Sequence, residues 1–349
     1  MNFFFNNENF SDHLISIIRN YNSDKIFILA DNNTFKYCYP LIEHVFLQPP
    51  FILKIESGEQ AKKIGTIEKL WSKLLELNAD RKSLLINLGG GVVSDIGGFV
   101  ASTFKRGISF INIPTTLLSM VDAAIGGKNG INFYNFKNII GTFSNPQAVI
   151  INSEFLKTLP KEHLISGFAE VVKHSLLDSE SAWHKVKYIN FDEPDFEYLS
   201  LIIKESASFK QKIVESDPKE KGVREILNFG HTFGHAIESL FKNKNKEIQH
   251  GEAVAIGIIC ELFLSNKILN FDFQILFEIS EFIAKTFPIY KIEYDDYDLI
   301  YDFMKQDKKN KDNKIHFTLL EKIGSPIINQ TCEKDEIFQA LNFYFQMIG

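Results

Sequence analysis

Cysteine is scarce in this sequence of 349 residues and badly placed for a structural role. Cys38, Cys260 and Cys332 are the only three, an odd number with no CxxC pair among them. That excludes a cysteine zinc site and a disulfide framework. Also missing is any apolar run near the roughly 18 residues that a membrane-spanning helix requires. The opening Met-Asn-Phe-Phe-Phe-Asn-Asn has neither the basic start nor the long apolar stretch of a signal peptide. There is no basic excess either. With 38 Lys and Arg against 44 Asp and Glu, the formal net charge of -6 argues against a nucleic-acid partner. Together these absences lead to the expectation of a cytoplasmic protein with no nucleic-acid or membrane partner. A cleft lined with local basic groups remains compatible with an anionic small molecule.

What is present is a hydrophobic fraction of 45%, enough for a full core, in a length that suits two domains. In the first 150 or so residues, short apolar runs alternate with amphipathic segments. Lys25–Ala30, Phe51–Ile55, Ser83–Leu88, Ser109–Ile113 and Ala148–Ile151 read as buried strands. Thr34–His44, Glu59–Leu77 and Ser94–Phe104 carry helical spacing between them. The alternation predicts a mainly parallel, Rossmann-like sheet covered on both faces, with ligands at the carboxyl ends of its strands. After Pro160 the rhythm becomes helical: Lys161–Leu177, Asp195–Glu215, Arg224–Phe241, Gly251–Leu269, Phe273–Thr286 and Asp296–Lys305, with one short strand at Ile315–Leu320. The expected division is an α/β domain over 1–155 and a mostly α-helical domain over 156–349.

Gly89-Gly90-Gly91 follows a strand and opens a helix that carries Asp95 in its first turns. Glycine there lets backbone approach a pyrophosphate at a helix N-terminus. Ser94 stands where the third glycine of the dinucleotide fingerprint belongs, so a plain tight turn explains the run equally well. Asp31 ends the first of these strands, where a carboxylate can accept a ribose hydroxyl or cap the next helix. The turn Ser57-Gly58-Glu59-Gln60-Ala61-Lys62 places an acid and a base one turn apart, and Pro114-Thr115-Thr116 ends a further strand with two hydroxyls.

The most informative stretch is Asn228-Phe229-Gly230-His231-Thr232-Phe233-Gly234-His235. His231 and His235, four residues apart, project from one helical face. Gly230 and Gly234 each cost about 1 kcal/mol of helix propensity relative to Ala, which implies that something approaches closely. His250-Gly251-Glu252 adds a third imidazole, and Glu170 and Lys173 share a helical face. Three imidazoles and a carboxylate are enough for a catalytic zinc with an open position. His174, four residues after Glu170, competes as a ligand. Arg224, Asn228 and His231, at spacings of four and three, are expected on one face of a single helix. With Lys210, and with Lys128, Lys137 and Asn138 on glycine-bearing loops after Asp122, they suit an oxyanion-rich ligand. Asp307-Lys308-Lys309 reads as more of the same or as a solvated basic loop.

At these residues the sequence resembles the 3-dehydroquinate synthase family. The motifs GGGVVSDIGGFVAST, IPTTLLSMVDAAIGGK, KNIIG, GFAEVVK, LNFGHTFGHAIE and HGEAVAIG occur in the family's order. The resemblance implies a homodimer binding NAD and one zinc or cobalt ion. The substrate it implies is 3-deoxy-D-arabino-heptulosonate 7-phosphate, converted to 3-dehydroquinate and phosphate by transient oxidation, elimination, re-reduction and aldol closure. It implies Glu170, His231 and His250 as metal ligands, with Asp122, Lys173, Lys210, Arg224, Asn228 and His235 around the substrate. Lys128, Asn138 and one of Lys308 or Lys309 are the implied phosphate contacts, with Arg106 reaching across from the partner subunit. Asp31, Glu59, Lys62, Gly90, Gly91, Val92, Asp95, Thr115, Thr116, Lys137, Phe155 and Thr158 are the implied NAD site. Three rivals stay open on the residues: a valiolone-type cyclase of sugar 7-phosphates, an NAD-dependent polyol dehydrogenase, and a non-catalytic nucleotide-binding module. The lysine-rich motifs disfavour the dehydrogenase.

Overall fold

The computed structural model describes residues 2–5, 10–21, 23, 25–134, 136–306 and 314–348. In chain order the elements are β1 (Asn2–Phe5), α1 (Phe10–Tyr21), β2 (Ile26–Asp31), α2 (Asn32–Tyr37), β3 (Phe51–Ile55), α3 (Ile64–Glu76), β4 (Leu84–Gly89), α4 (Gly91–Thr103), β5 (Ser109–Pro114), β6 (Lys128–Phe133), β7 (Phe136–Phe143) and β8 (Ala148–Ile151). There follow α5 (Lys161–Asp178), α6 (Glu180–Val186), α7 (Phe196–Ser216), α8 (His231–Asn243), α9 (His250–Leu269), α10 (Phe273–Thr286), α11 (Tyr297–Lys305), β9 (His316–Lys322), β10 (Ser325–Thr331) and α12 (Lys334–Ile348). Two compact units emerge: Met1–Pro160 with Phe196–Glu215, and Lys161–Asp195 with Ser216–Gly349. Helix α7 therefore groups with the first unit, although it lies well beyond residue 155.

The first unit is built on a six-stranded parallel sheet in the order β1-β8-β5-β4-β2-β3. Strands covered on both faces have to be apolar throughout, and β4 is buried along its whole length. Phe27, Leu29, Leu53 and Leu85 of the strands pack with Ile67, Leu70 and Leu74 of α3 and with Ile96 and Val100 of α4. Register sets the carboxyl ends level: Asp31 lies opposite Ile55, Ala30 opposite Leu88, and Gly89 opposite Pro114. From β2 the chain runs outward to β3 and then back to β4 on the other side, so strand order reverses at the β2/β4 pair. Such a reversal opens the crevice that open α/β sheets use for ligands.

The close packing that a fingerprint's third glycine would provide is supplied one turn later. A Cβ on Gly97 would stand 1.8 Å from Oδ1 of Asn87 on β4. Asn87 donates to Asn112 (2.8 Å), which donates to the Ala124 carbonyl (3.1 Å). This buried polar chain is possible only because α4 comes down onto the sheet. Ser94 is itself buried, with its hydroxyl 3.3 Å from that of Ser119.

Two expectations that bear on the site need correction. Lys128, Lys137 and Asn138 do not sit on loops: β6 and β7 form an antiparallel hairpin. Its Asn- and Gly-rich sequence mimics turn signals, but Gly130 and Gly141 are there because the two backbones approach too closely for a Cβ. In the second unit, the single helix expected over Arg224–Phe241 is broken. Val223–Asn228 is a 3-10 turn, Gly230 is left-handed (φ 79°), and α8 begins at His231. Arg224 and Asn228 thus do not continue the helical face of His231. The rest of this unit is helical around α9, in which every residue from Gly251 to Leu262 is buried, with β9 and β10 forming an antiparallel pair. Among the described residues no helix is long and apolar enough to cross a membrane.

Candidate active site

The residues singled out from sequence fall into separate clusters, two in the first unit and one in the second. At the carboxyl edge of the sheet, Asp31 caps α2. Its Oδ1 accepts the N–H groups of Asn33 (2.8 Å) and Thr34 (2.9 Å) and the Ser57 hydroxyl (3.1 Å). The capping role is therefore real, and Oδ2 makes none of these three bonds. Gly90 and Gly91 open α4, whose first N–H groups have no intrahelical partners. Asp95, just beyond, is ion-paired with the buried Lys62. Burial pushes the Asp95 carboxyl up to about 6, against the opposing pull of Lys62. Thr116 lies against Gly90, and Val92 is half-buried. Thr115 and Phe155 are buried, and Thr158 donates to the Phe155 carbonyl (3.3 Å). The Cys38 thiol lies beside Thr115 and Thr158. Burial first, and the Asp31 charge second, push it up to about 12, so it stays a neutral thiol.

The second cluster surrounds the base of the hairpin. Asn129 donates to the carbonyls of Gly127 (3.0 Å) and Ser144 (2.8 Å), fixing the turn that leads into Lys128. Glu59 accepts from Asn132 (2.7 Å), whose Oδ1 in turn accepts the N–H of Asn138 (2.9 Å), a residue held at φ 52°. Lys128, Lys137 and Asn138 are exposed. Lys210, buried on α7, is ion-paired with Asp122 and donates to its carbonyl at 2.7 Å. Asp122 lies in a π-turn, Ser119–Ala123, a form enriched at functional sites. Arg106 is exposed and left-handed (φ 69°) just past α4. Lys308 and Lys309 lie outside the described residues.

The third cluster is in the second unit. Glu170 on α5 is fully buried, and its Oε1 lies 3.5 Å from Nε2 of His231 and 3.5 Å from Nε2 of His250. Its other oxygen, Oε2, is ion-paired with Lys173, one turn along the same helix. Helix packing sets this convergence. A Cβ on Gly251 would stand 1.7 Å from the Ser166 carbonyl, so α9 starts directly against α5 and puts His250 beside Glu170. A Cβ on Gly257 would stand 1.9 Å from the Gly230 carbonyl, so α8 starts against α9. The close approach implied by the glycines of the histidine motif is thus made by helix backbone.

Chemistry follows from the outer contacts. Nδ1 of His231 lies 3.1 Å from the Phe229 carbonyl. A carbonyl only accepts, so Nδ1 carries a proton, and Nε2 is the nitrogen that faces Glu170. Nδ1 of His250 faces Glu238 at 3.5 Å. One carboxylate oxygen thus faces a ring nitrogen of each imidazole, at 3.5 Å in both cases. That separation is near the roughly 3.3 Å expected between neighbouring ligands of a tetrahedral zinc, from metal–ligand distances of about 2.0 Å. The three donor atoms lie within 4.8 Å of one another. The donor set thus fits a divalent cation with an open position. Burial opposes charge on Glu170, yet Lys173 and His250 hold its carboxyl well below the usual carboxylate range. On His250 burial opposes protonation, while Glu238 and Glu170 hold the ring up to about 10. The negative charge that retains that proton equally retains a cation. His235 completes the imidazole group, with its ring centroid 5.4 Å from that of His231 and 6.3 Å from that of His250.

Two family models cover this chain: 3-dehydroquinate synthase N-terminal over residues 52–166 and 3-dehydroquinate synthase C-terminal over residues 167–310. The chain belongs to the 3-dehydroquinate synthase family. A 3-dehydroquinate synthase from Parabacteroides distasonis is 45% identical over 328 residues, 93% of this chain and 93% of its own. Among solved structures, a 2-deoxy-scyllo-inosose synthase complexed with carbaglucose-6-phosphate, NAD+ and Co2+ superposes with a TM-score of 0.86 at 23% identity, covering 97% of this chain and 95% of that one. A 2-epi-5-epi-valiolone synthase from Streptomyces hygroscopicus subsp. jinggangensis with NAD+ and Zn2+ bound gives 0.80 at 24% identity, covering 92% and 91%. At these identities both structures speak to the fold alone.

In this family member two carboxylates, Glu238 and Glu252, stand inside the quoted histidine motifs but drew no role from them, and a third, Asp217, lies outside every motif. Glu238 follows His231 by seven residues on α8, so helical spacing carried a signal for it. Glu252 begins α9 in a capping box and accepts the Tyr290 hydroxyl (2.6 Å). Asp217 accepts the N–H groups of Lys221 (2.9 Å), Gly222 (2.8 Å) and Arg224 (3.2 Å), closing a loop around its carboxylate. The Arg224 guanidinium, buried at the end of that loop, donates to the Pro218 carbonyl (3.1 Å). Local spacing carried no signal for that arrangement.

Proposed function

We propose that this protein is a phosphate-eliminating carbon–oxygen lyase that converts 3-deoxy-D-arabino-heptulosonate 7-phosphate to 3-dehydroquinate and phosphate, a step of the shikimate pathway in aromatic amino acid biosynthesis. The match of both family models across residues 52–310 carries the reading, and the cation-ready convergence of Glu170, His231 and His250 supports it.

In this reading Glu170, His231 and His250 hold a zinc or cobalt ion. Asp31, Glu59, Lys62, Gly90, Gly91, Val92, Asp95, Thr115, Thr116, Lys137, Phe155 and Thr158 hold NAD. When bound, NAD supplies reversible hydride acceptance and the ion polarises the substrate oxygen, so no net redox change results. The chain's own groups do the rest. Lys173 occupies Oε2 of Glu170 and so turns Oε1 outward. Arg224 offers a planar fork that matches the substrate carboxylate bidentately, with Asn228 beside it in the same turn. His235 takes up or returns a proton at its imidazole. Asp122 holds the Lys210 ammonium in place, where it opposes developing negative charge. Lys128, Asn138, one of Lys308 or Lys309 and the partner subunit's Arg106 hold the phosphate.

A homodimer working in the cytoplasm completes the proposal. The β6–β7 hairpin supports the dimer, because Phe136 and Phe143 are 65% and 60% exposed on a strand none of whose residues is buried. Apolar area of this kind marks interaction surfaces. The free thiols of Cys38, Cys260 and Cys332 support a reducing compartment.

The test is a joint assay of phosphate release and 3-dehydroquinate formation with NAD and zinc supplied. Equimolar products, no net NADH and loss of turnover with a chelator are expected. Turnover of sedoheptulose 7-phosphate in place of the heptulosonate phosphate would move the assignment to a valiolone-type cyclase. Stoichiometric NADH from a simple polyol would move it to a dehydrogenase. The relatives favour the first outcome, since 45% identity joins this chain to a named 3-dehydroquinate synthase and 24% to the valiolone synthase.

A further inference from the structure

Glu261 is a fully buried carboxylate midway along α9, flanked in sequence by apolar residues, and none of the roles proposed above uses it. An ionisable group in such a place is costly unless hydrogen-bonded. Its two oxygens reach the start of α8. Oε2 accepts the Gly230 N–H at 2.7 Å, and Oε1 accepts the Thr232 N–H at 3.2 Å. The residue between those two is His231. The first N–H groups of a helix have no partners inside it, and Gly230, at the N-cap, has no side chain with which to satisfy them. Glu261 supplies from the neighbouring helix what a capping side chain would normally supply locally, with negative charge at the positive end of α8. The contact also explains how Gly230 can be left-handed and pressed against α9. The turn is clamped from the α9 side by a carboxylate and packed by Gly257.

We propose that Glu261 is a positioning residue for the divalent ion, acting through His231. By bonding the peptides on either side, it sets the direction in which the His231 ring leaves the backbone. Nδ1 then meets the Phe229 carbonyl and Nε2 meets Oε1 of Glu170. The inference rests on the reading of His231 as a ligand.

The experiment uses the full chain, stripped of metal, with zinc affinity measured by chelator competition and thermal unfolding measured in the same metal-free state. Glu261→Gln keeps the volume but sets an amide N–H2 against one backbone donor; it should weaken zinc binding about 10- to 100-fold, the usual range for groups that orient a ligand. Glu261→Asp keeps the charge with a shorter reach and should fall between Gln and wild type; it carries the test if Gln does not fold. Leu262→Ala, a cavity in the same helix, should lower the unfolding temperature yet leave zinc affinity within about twofold. Wild-type affinity in folded Glu261→Gln or Glu261→Asp overturns the proposal, as does an equal loss in Leu262→Ala. His231→Ala runs in parallel. If it binds zinc as wild type does, the ligand reading fails and takes this inference with it. If it loses zinc while the Glu261 variants do not, only the Glu261 role falls.

Discussion

Oε1 of Glu238 lies 3.5 Å from Nδ1 of His250, on the side of the ring away from Glu170. The carboxylate thus stands behind the imidazole, where it can orient the ring and make Nε2 more basic. Glu238→Ala should therefore weaken divalent-metal binding about 10- to 100-fold while Glu170, His231 and His250 stay intact. Chelator competition on the folded variant checks this, and unchanged affinity would remove Glu238 from the metal's surroundings.

Glu170 and Lys173 form a buried pair, 0% and 1% exposed at their side chains. Removing one partner of such a pair strands the other charge, at a cost of about 3–5 kcal/mol. Denaturant unfolding of the metal-free protein should show that loss for Glu170→Ala. The double variant Glu170→Ala/Lys173→Ala should be less destabilised than the sum of the two single variants. Additive losses would mean that the pair is not coupled.

The Asp95 carboxyl, raised mainly by burial to about 6 from an ordinary 3.8, gives a pH signature. Between those values the folded state holds a proton that the unfolded state has released, so stability falls as pH rises through this window and levels off above it. Relative to Asp95→Asn, wild type should lose at most about 3 kcal/mol between pH 4 and 6, at about 1.4 kcal/mol per decade. Lys62, left without its partner, offsets the variant by a constant that does not change the slope. A flat difference across that window would contradict the raised pKa.

Arg224 and Asp217 should report on substrate binding separately from metal. Arg224→Lys loses the bidentate fork and should raise KM for the carboxylate-bearing substrate about tenfold or more. Asp217→Ala releases the loop that ends in Arg224 and should raise KM several-fold, with metal content unchanged. A fall in kcat alone in either variant would detach that residue from carboxylate binding.

The exposed hairpin predicts the oligomeric state. Phe136→Glu with Phe143→Glu should shift the protein from dimer to monomer in sedimentation without unfolding it, because both side chains are already exposed. A dimer that persists unchanged would place the interface elsewhere.

The sequence by itself determined the fold class, a parallel α/β sheet followed by helices, though not the grouping of α7 with the first unit. Short apolar runs of strand length alternating with amphipathic segments fit strands of a parallel sheet covered by helices, and the order of motifs was enough to identify the family. It also determined which residue types are available: His231, His235 and His250 stand out by spacing and by the glycines around them, whereas Glu170 was singled out over His174 only by the family resemblance. Local patterning failed where partners are distant. The hairpin of Lys128 and Asn138 read as loop because its glycines serve cross-strand contact, not a turn. The expected helix through Arg224 and His231 is broken at Gly230 because Glu261, 31 residues on, caps α8 from another helix. Only tertiary structure decided that Oε1 of Glu170 meets both imidazoles while Oε2 meets Lys173. Those atoms come together through the crossings of α5, α8 and α9, and a crossing is set by side-chain volumes on separate segments, which no single segment encodes.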